Sequence, residues 1–178
     1  IPAAILLGSF CINWRVKQLI TMNRFLSFLI FFASYGALSQ DIEKTRTLYL
    51  DALNTQNDER IIEHGSSLIG YFDASIDEFN SEEYTAHAEI MMEVVLSYYK
   101  LGAFNKALEL NLRSLDIHEK LFGIESEYYA MDLTLISMLY FELGDNLKSL
   151  DFNLKALKAS ESIYGKESTE YAVILSKI

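Results

Sequence analysis

The chain has 178 residues, 51% of them apolar, with one proline and eight glycines; that is enough apolar mass for a sizeable core and too few turn residues for a turn-dense β architecture, so an all-α domain is expected. The formal charge of -10 is uneven, because Arg15, Lys17 and Arg24 precede Asp41 while no acidic residue does, leaving 12 basic against 25 acidic residues, or -13, from Gln40 onward. Such a surface repels phosphate backbones and anionic headgroups, so no nucleic acid and no membrane surface is expected as a partner, and with Cys11 as the sole cysteine the acidic part has no disulfide and no thiolate for a metal or a nucleophile.

Residues 1–21 open on Ile1 instead of methionine and read as an upstream extension outside the mature protein. The stretch MNRFLSFLIFFASYGALSQ that follows has the layout of a secretory signal over residues 22–39. Arg24 supplies the positive start, residues 25–33 an apolar run, and Ala37 and Ser39 the small side chains before the cleavage point. Cleavage after Ser39 is expected, giving an exported protein (periplasmic, cell-surface or extracellular) with no membrane attachment afterwards. One rival is a retained anchor, for which residues 25–38 fall short of the ~20 apolar residues that cross a bilayer. The other is a cytosolic chain in which this run is a buried helix.

Residues 41–54 read as a helix with Ile42, Leu48, Leu50 and Leu53 apolar, TQND as a turn, and residues 59–79 as a second helix, crossed by Gly65 and Gly70. Together they form a degenerate first repeat over residues 40–82. From there the chain overlays itself when shifted by 42 residues. LGAFNKALELNLRSLDIHEKLFG, from Leu101, returns as LGDNLKSLDFNLKALKASESIYG, from Leu143. Ala88 falls on Ala130, Tyr98 on Tyr140, Lys106 on Lys148, Asn111 on Asn153, Glu119 on Glu161, Ser126 on Ser168 and Tyr129 on Tyr171, without a gap. Each unit reads as two helices. Met91, Val94, Val95, Tyr98 and Leu101 mark one face of the first, with Gly102 as its stop; Ala107, Leu108, Leu110, Leu112, Leu115 and Leu121 mark the second, which ends at Gly123. Leu133, Ile136, Tyr140 and Leu143, then Leu150, Leu154, Leu157 and Ile163, repeat the pattern, with Gly144 and Gly165 as stops. The repeats occupy 83–125 and 126–167, and 168–178 begins a truncated one, so continuation beyond Ile178 is expected, because half a repeat leaves its partner face unburied.

The order Tyr98, Leu101-Gly102, Ala107-Leu108, Leu115 resembles the tetratricopeptide repeat. The 42-residue period, with a Gly, Glu and Tyr-Ala boundary, is similar to the longer variety in kinesin light chains. Small residues hold the close-approach positions, Ala107 and Ser149 at one and Ser114 and Ala156 at the other; Asn146 departs from the pattern where Phe104 supplies the usual aromatic. The resemblance implies a right-handed superhelix, an α-solenoid of antiparallel helix pairs whose first helices line a concave face. That face would carry Glu89, Met92, Leu96, Tyr99 and Lys100, then Met131, Thr134, Met138, Phe141 and Glu142. An extended or helical partner segment is expected in this groove, with Tyr99 and Phe141 as aromatic anchors and Lys100 open to a carboxylate. The other reading has further parts of the superhelix covering the apolar stripe.

No catalytic constellation emerges. His64, His87 and His118 fall in different helices and read as surface or partly buried residues without a role; there is no phosphate loop, HExxH or GxSxG, and the acids at Asp77-Glu78 and Glu82-Glu83 lack the alternating ligands of a calcium loop. No cofactor and no metal are expected. The function expected is therefore a non-catalytic protein-interaction or scaffold module. The alternative is the N-terminal sensing region of a larger effector, with a caspase-like protease or a signalling kinase or regulator beyond residue 178.

Overall fold

A computed structural model of the chain describes residues 36–75, 81–176 and 178. The upstream extension, most of the secretory signal and the expected end of the 59–79 helix lie outside the described residues. Two compact units divide between Lys44 and Thr45. Of the first, the described part is the opening of helix α1, Gly36–Thr55, which ends in the second unit. The second unit continues as α2 (Asp58–Ser75), α3 (Ser81–Lys100), α4 (Phe104–Phe122), α5 (Glu127–Glu142), α6 (Asn146–Tyr164) and α7 (Thr169–Leu175). Each helix from α2 to α6 packs on the next, as does α6 on α7, and α3 also meets α5, which is the adjacency of a stacked all-α solenoid of antiparallel pairs.

The repeated letters do local work at the helix ends. Gly102 and Gly144 take positive φ, +71° and +81°. In the first turn Ala103 N–H bonds Tyr98 C=O at 2.9 Å and Gly102 N–H bonds Tyr99 C=O at 3.0 Å; Asp145 with Tyr140 and Gly144 with Phe141 repeat both bonds. This is the paired 6→1 and 5→2 closure that a glycine without a Cβ penalty permits. At the far end of each pair, Ser126 and Ser168 cap the following helix. Their hydroxyls accept from Tyr129 N–H and Tyr171 N–H at 3.2 Å and donate back to the carbonyls of Gly123 and Gly165 at 2.8 and 2.7 Å. Inside each pair the recurring lysine lies over the recurring tyrosine, Lys106 5.9 Å from the Tyr98 ring centre and Lys148 5.0 Å from that of Tyr140.

Burial departs from the leucine pattern in two places. On α4 the fully inward seam is Ala107, Asn111, Ser114 and His118, while the leucines flank it and Leu112 is exposed. Paired helices approach along a row of small or polar residues, and the leucines fill the ridges beside it. On α1 the buried side chains are Arg46, Tyr49 and Ala52, with Leu48, Leu50 and Leu53 only half-buried. Gly65, unfavourable as a helix residue, is explained here: a Cβ on it would stand 2.4 Å from Val94 Cγ2 and 3.1 Å from Tyr49 Cε2, so its absence lets α1, α2 and α3 meet. A Cβ on Gly70 would meet nothing within 4 Å.

Candidate functional site

The expected groove is built from the C-terminal turns of α3 and α5 and the starts of α4 and α6, where the two repeats diverge. Tyr99 is half-buried; its ring packs on Phe104 with centroids 5.5 Å apart, and its hydroxyl donates to Glu142 Oε1 at 2.7 Å. Burial first, and then the Glu142 carboxylate, push this phenol up to about 12. The counterpart of Tyr99 is Phe141, and the counterpart of Phe104 is Asn146, which offers no ring. Phe141 is accordingly left 65% exposed at the end of α5, with Met138 half-buried one turn before it. The sequence departure at Asn146 thus has a specific consequence: an aromatic in the groove without its internal partner.

Other members of the expected stripe sit elsewhere. Met92 is 1% and Leu96 8% exposed, so within this chain both are interior side chains of α3. Every residue from Ile90 to Ser97 is in fact buried, and α3 is enclosed on all sides along those two turns. Lys100 reaches back to the first turn of α2, its Nζ 3.0 Å from Asp58 Oδ1, so its charge is met internally. Glu89 is half-buried, pushed up to about 7 by burial first and then by the nearby Glu93 carboxylate. Burial first pushes up the phenols of Tyr49 on α1 and Tyr128 on α5, and the Glu89 carboxylate adds to both.

Two of the three histidines are not where the sequence reading places them: His87 and His118 are wholly buried. His118 Nδ1 lies 2.6 Å from Asp132 Oδ2, and the Ser114 hydroxyl lies 3.1 Å from Asp132 Oδ1 and 3.3 Å from His118 Nδ1, tying α4 to α5. Burial pushes the Asp132 carboxyl up, and its bonds to His118 and Ser114 hold it back. A serine, a histidine and an aspartate in contact invite comparison with an acyl-transfer triad, but the geometry excludes it. All three residues have 0% exposure, and the Ser114 hydroxyl lies beside the ring, 3.3 Å from Nδ1 and 3.5 Å from Nε2, and donates to the Asp132 carboxylate itself, whereas a nucleophile must donate to the nitrogen opposite the carboxylate. This cluster is a structural knot. The visible signal for it was Asp132, a lone acid in the apolar run AMDLTLISML. His87, ringed by Phe72 at 5.5 Å, has its Nε2 3.5 Å from Asp73, which also holds Arg113; burial first lowers it to about 4, so it is neutral at pH 7.

Among the described residues no group of three or more His, Cys, Asp or Glu side chains is placed to hold a metal ion, and no helix is long and apolar enough to cross a membrane. Among the described residues of the second unit, Phe141 is the one exposed aromatic on a stacked helical surface.

No curated protein sequence matches the chain. Its structure is similar to the crystal structure of BtubC (BKLC) from P. vanneervenii, with a TM-score of 0.52 and 18% identity over 80% of this chain. The chain spans 65% of that protein's length, and the likeness is one of fold. Residues 87–162, from α3 to the end of α6, match the family model of the tetratricopeptide repeat. Such repeats serve as protein-interaction scaffolds and are in general non-catalytic. The 42-residue period, the glycine closures, the serine caps and the matched stretch agree, and residues 87–162 form a tetratricopeptide-repeat region.

Proposed function

We propose that this protein is a non-catalytic interaction module that captures a segment of a partner protein in the groove between the C-terminal turns of α3 and α5. Phe141 is the anchor, flanked by Met138 and by the Tyr99–Glu142 pair. The observation that carries this reading is the contrast between equivalent positions: Tyr99 is packed on Phe104 and hydrogen-bonded, while Phe141 is 65% exposed. An uncovered aromatic beside half-buried apolar neighbours is what a binding hot spot needs. The enclosed Met92 and Leu96 support the groove floor from beneath and Lys100 stabilises the α2–α3 contact.

Peptides selected on the immobilised chain from a random display library test this directly. Binding is expected to fall about thirtyfold in Phe141→Ala, the loss typical of an aromatic hot spot, with the thermal midpoint unchanged. A fall in helicity or in the midpoint would make Phe141 a core residue instead, and the groove reading would fail.

The protein works outside the cytoplasm, delivered by the signal over residues 22–39; support comes from the Arg24 start, the apolar run and the small residues Ala37 and Ser39. N-terminal sequencing of the mature protein is expected to begin at Gln40, and an intact Met22 on cytosolic protein would refute export.

A further inference from the structure

Resting on the groove reading above, we infer that the segment captured there is cationic: an apolar or aromatic side chain covers Phe141, and a lysine or arginine next to it sits on the Glu142 carboxylate. The first argument is the repeat itself. In the first repeat Tyr99 receives the ring of Phe104 from its own chain; in the second, Asn146 replaces that ring, so the face of Phe141 accepts one from elsewhere. The second argument is charge. At the position next to each aromatic the repeats differ in sign, Lys100 against Glu142. Lys100 is already held by Asp58, 3.0 Å away, so the cation next to Tyr99 is met within the chain. Glu142 takes one hydrogen bond, from the Tyr99 hydroxyl, at one oxygen; a carboxylate accepts several, and its second oxygen remains for another donor.

The imbalance extends beyond this pair. Seven basic side chains of the second unit already hold internal carboxylates. Among the described residues no basic side chain lies within salt-bridge distance of Glu142. With a balance of -13 from Gln40 onward, the field over this surface draws cationic segments and turns acidic ones away.

The peptides selected on the wild-type chain decide the matter. They are expected to be enriched in Lys or Arg beside an aromatic or large apolar residue and to bind more weakly as salt rises. Glu142→Gln, which keeps an oxygen for the Tyr99 hydroxyl, is expected to weaken them about threefold, the range of an exposed ion pair. Glu142→Lys is expected to weaken them about tenfold or more, through repulsion. Peptides that need Phe141 but are neutral or acidic, and indifferent to Glu142→Gln, would overturn the cationic assignment and leave the groove standing. Absence of any Phe141-dependent peptide would overturn the groove with it. A dimer in sedimentation that is lost in Phe141→Ala would make the occupant a second copy of this chain and also overturn the assignment.

Discussion

Replacing His118 by alanine should destabilise the protein by about 3–5 kcal/mol, because it strips the buried Asp132 of its closest partner and leaves an acid with only the Ser114 hydroxyl in a site closed to water. The loss of ring contacts with Phe122 and Tyr128, centroids 5.8 and 5.5 Å away, adds to it. At roughly 4 °C per kcal/mol for a domain of this size, the midpoint should fall on the order of 10–20 °C. The repeat supplies its own control. Forty-two residues on, the positions of Ser114, His118 and Asp132 are held by Ala156, Ser160 and Ile174, where Ala156 and Ile174 belong to an apolar cluster with Ala130 and Leu133. The triple change Ser114→Ala, His118→Ser and Asp132→Ile transplants that solution and should be close to neutral or stabilising, since it removes the buried acid together with its partners and leaves one buried hydroxyl, as Ser160 does in the second repeat. Charge gives a second readout. The folded pKa of Asp132 is raised, so the stability it contributes is full below its unfolded value and is lost as pH rises through the folded one. Removing His118 removes the influences that lower it and raises it further. Urea denaturation followed by circular dichroism should therefore show a larger cost for His118→Ala at pH 8 than at pH 5, and no such pH dependence for the triple variant. A cost below about 1 kcal/mol, or one equal at both pH values, would refute this account of the knot.

Two further predictions concern stability. Gly65→Ala and Gly70→Ala are the same change in the same helix with opposite expected signs: about 1–3 kcal/mol lost at Gly65, where the new Cβ meets Val94 Cγ2 at 2.4 Å, and about 0.5–1 kcal/mol gained at Gly70, which has open space and a helical backbone; equal signs in chemical denaturation would sink the close-approach argument. Glu89 titrates near 7 in the folded protein against 4.5 for the free group, so its contribution is full below pH 4.5 and is lost as pH rises through 7, up to about 3 kcal/mol. Glu89→Gln should thus match the wild type at pH 4 and exceed it in stability at pH 8, and a constant difference across that range would show that burial does not strain this carboxyl.

Much of the architecture was legible because its causes are local. A glycine that must take positive φ, a serine that must cap the next helix and a lysine that must reach a tyrosine across one turn act within a few residues of themselves, so each leaves the same letters at the same spacing in both full copies. Positions 102 and 144, 126 and 168, and the Lys–Tyr pairs are of this kind. The expected groove was only partly legible. Asn146 was visible as a departure, yet its effect on Phe141 required knowing that Phe104 lies on Tyr99 and not elsewhere. Met92 and Leu96 share their helical face with Tyr99, and spacing alone treats all three alike.

Sequence by itself determined that this protein is a row of helix pairs, where each pair stops and how it is capped, and that its second unit is acidic. Tertiary structure alone decided which equivalent residues are core and which are surface, that His118 and Asp132, fourteen positions apart, share a buried bond, and that Lys100 is spent on Asp58 while Glu142 is not. The physical reason is the reach of the forces involved. Backbone closure and capping are satisfied within a turn and are written in the neighbouring letters, whereas burial and charge pairing depend on what a neighbouring helix brings to the same point in space.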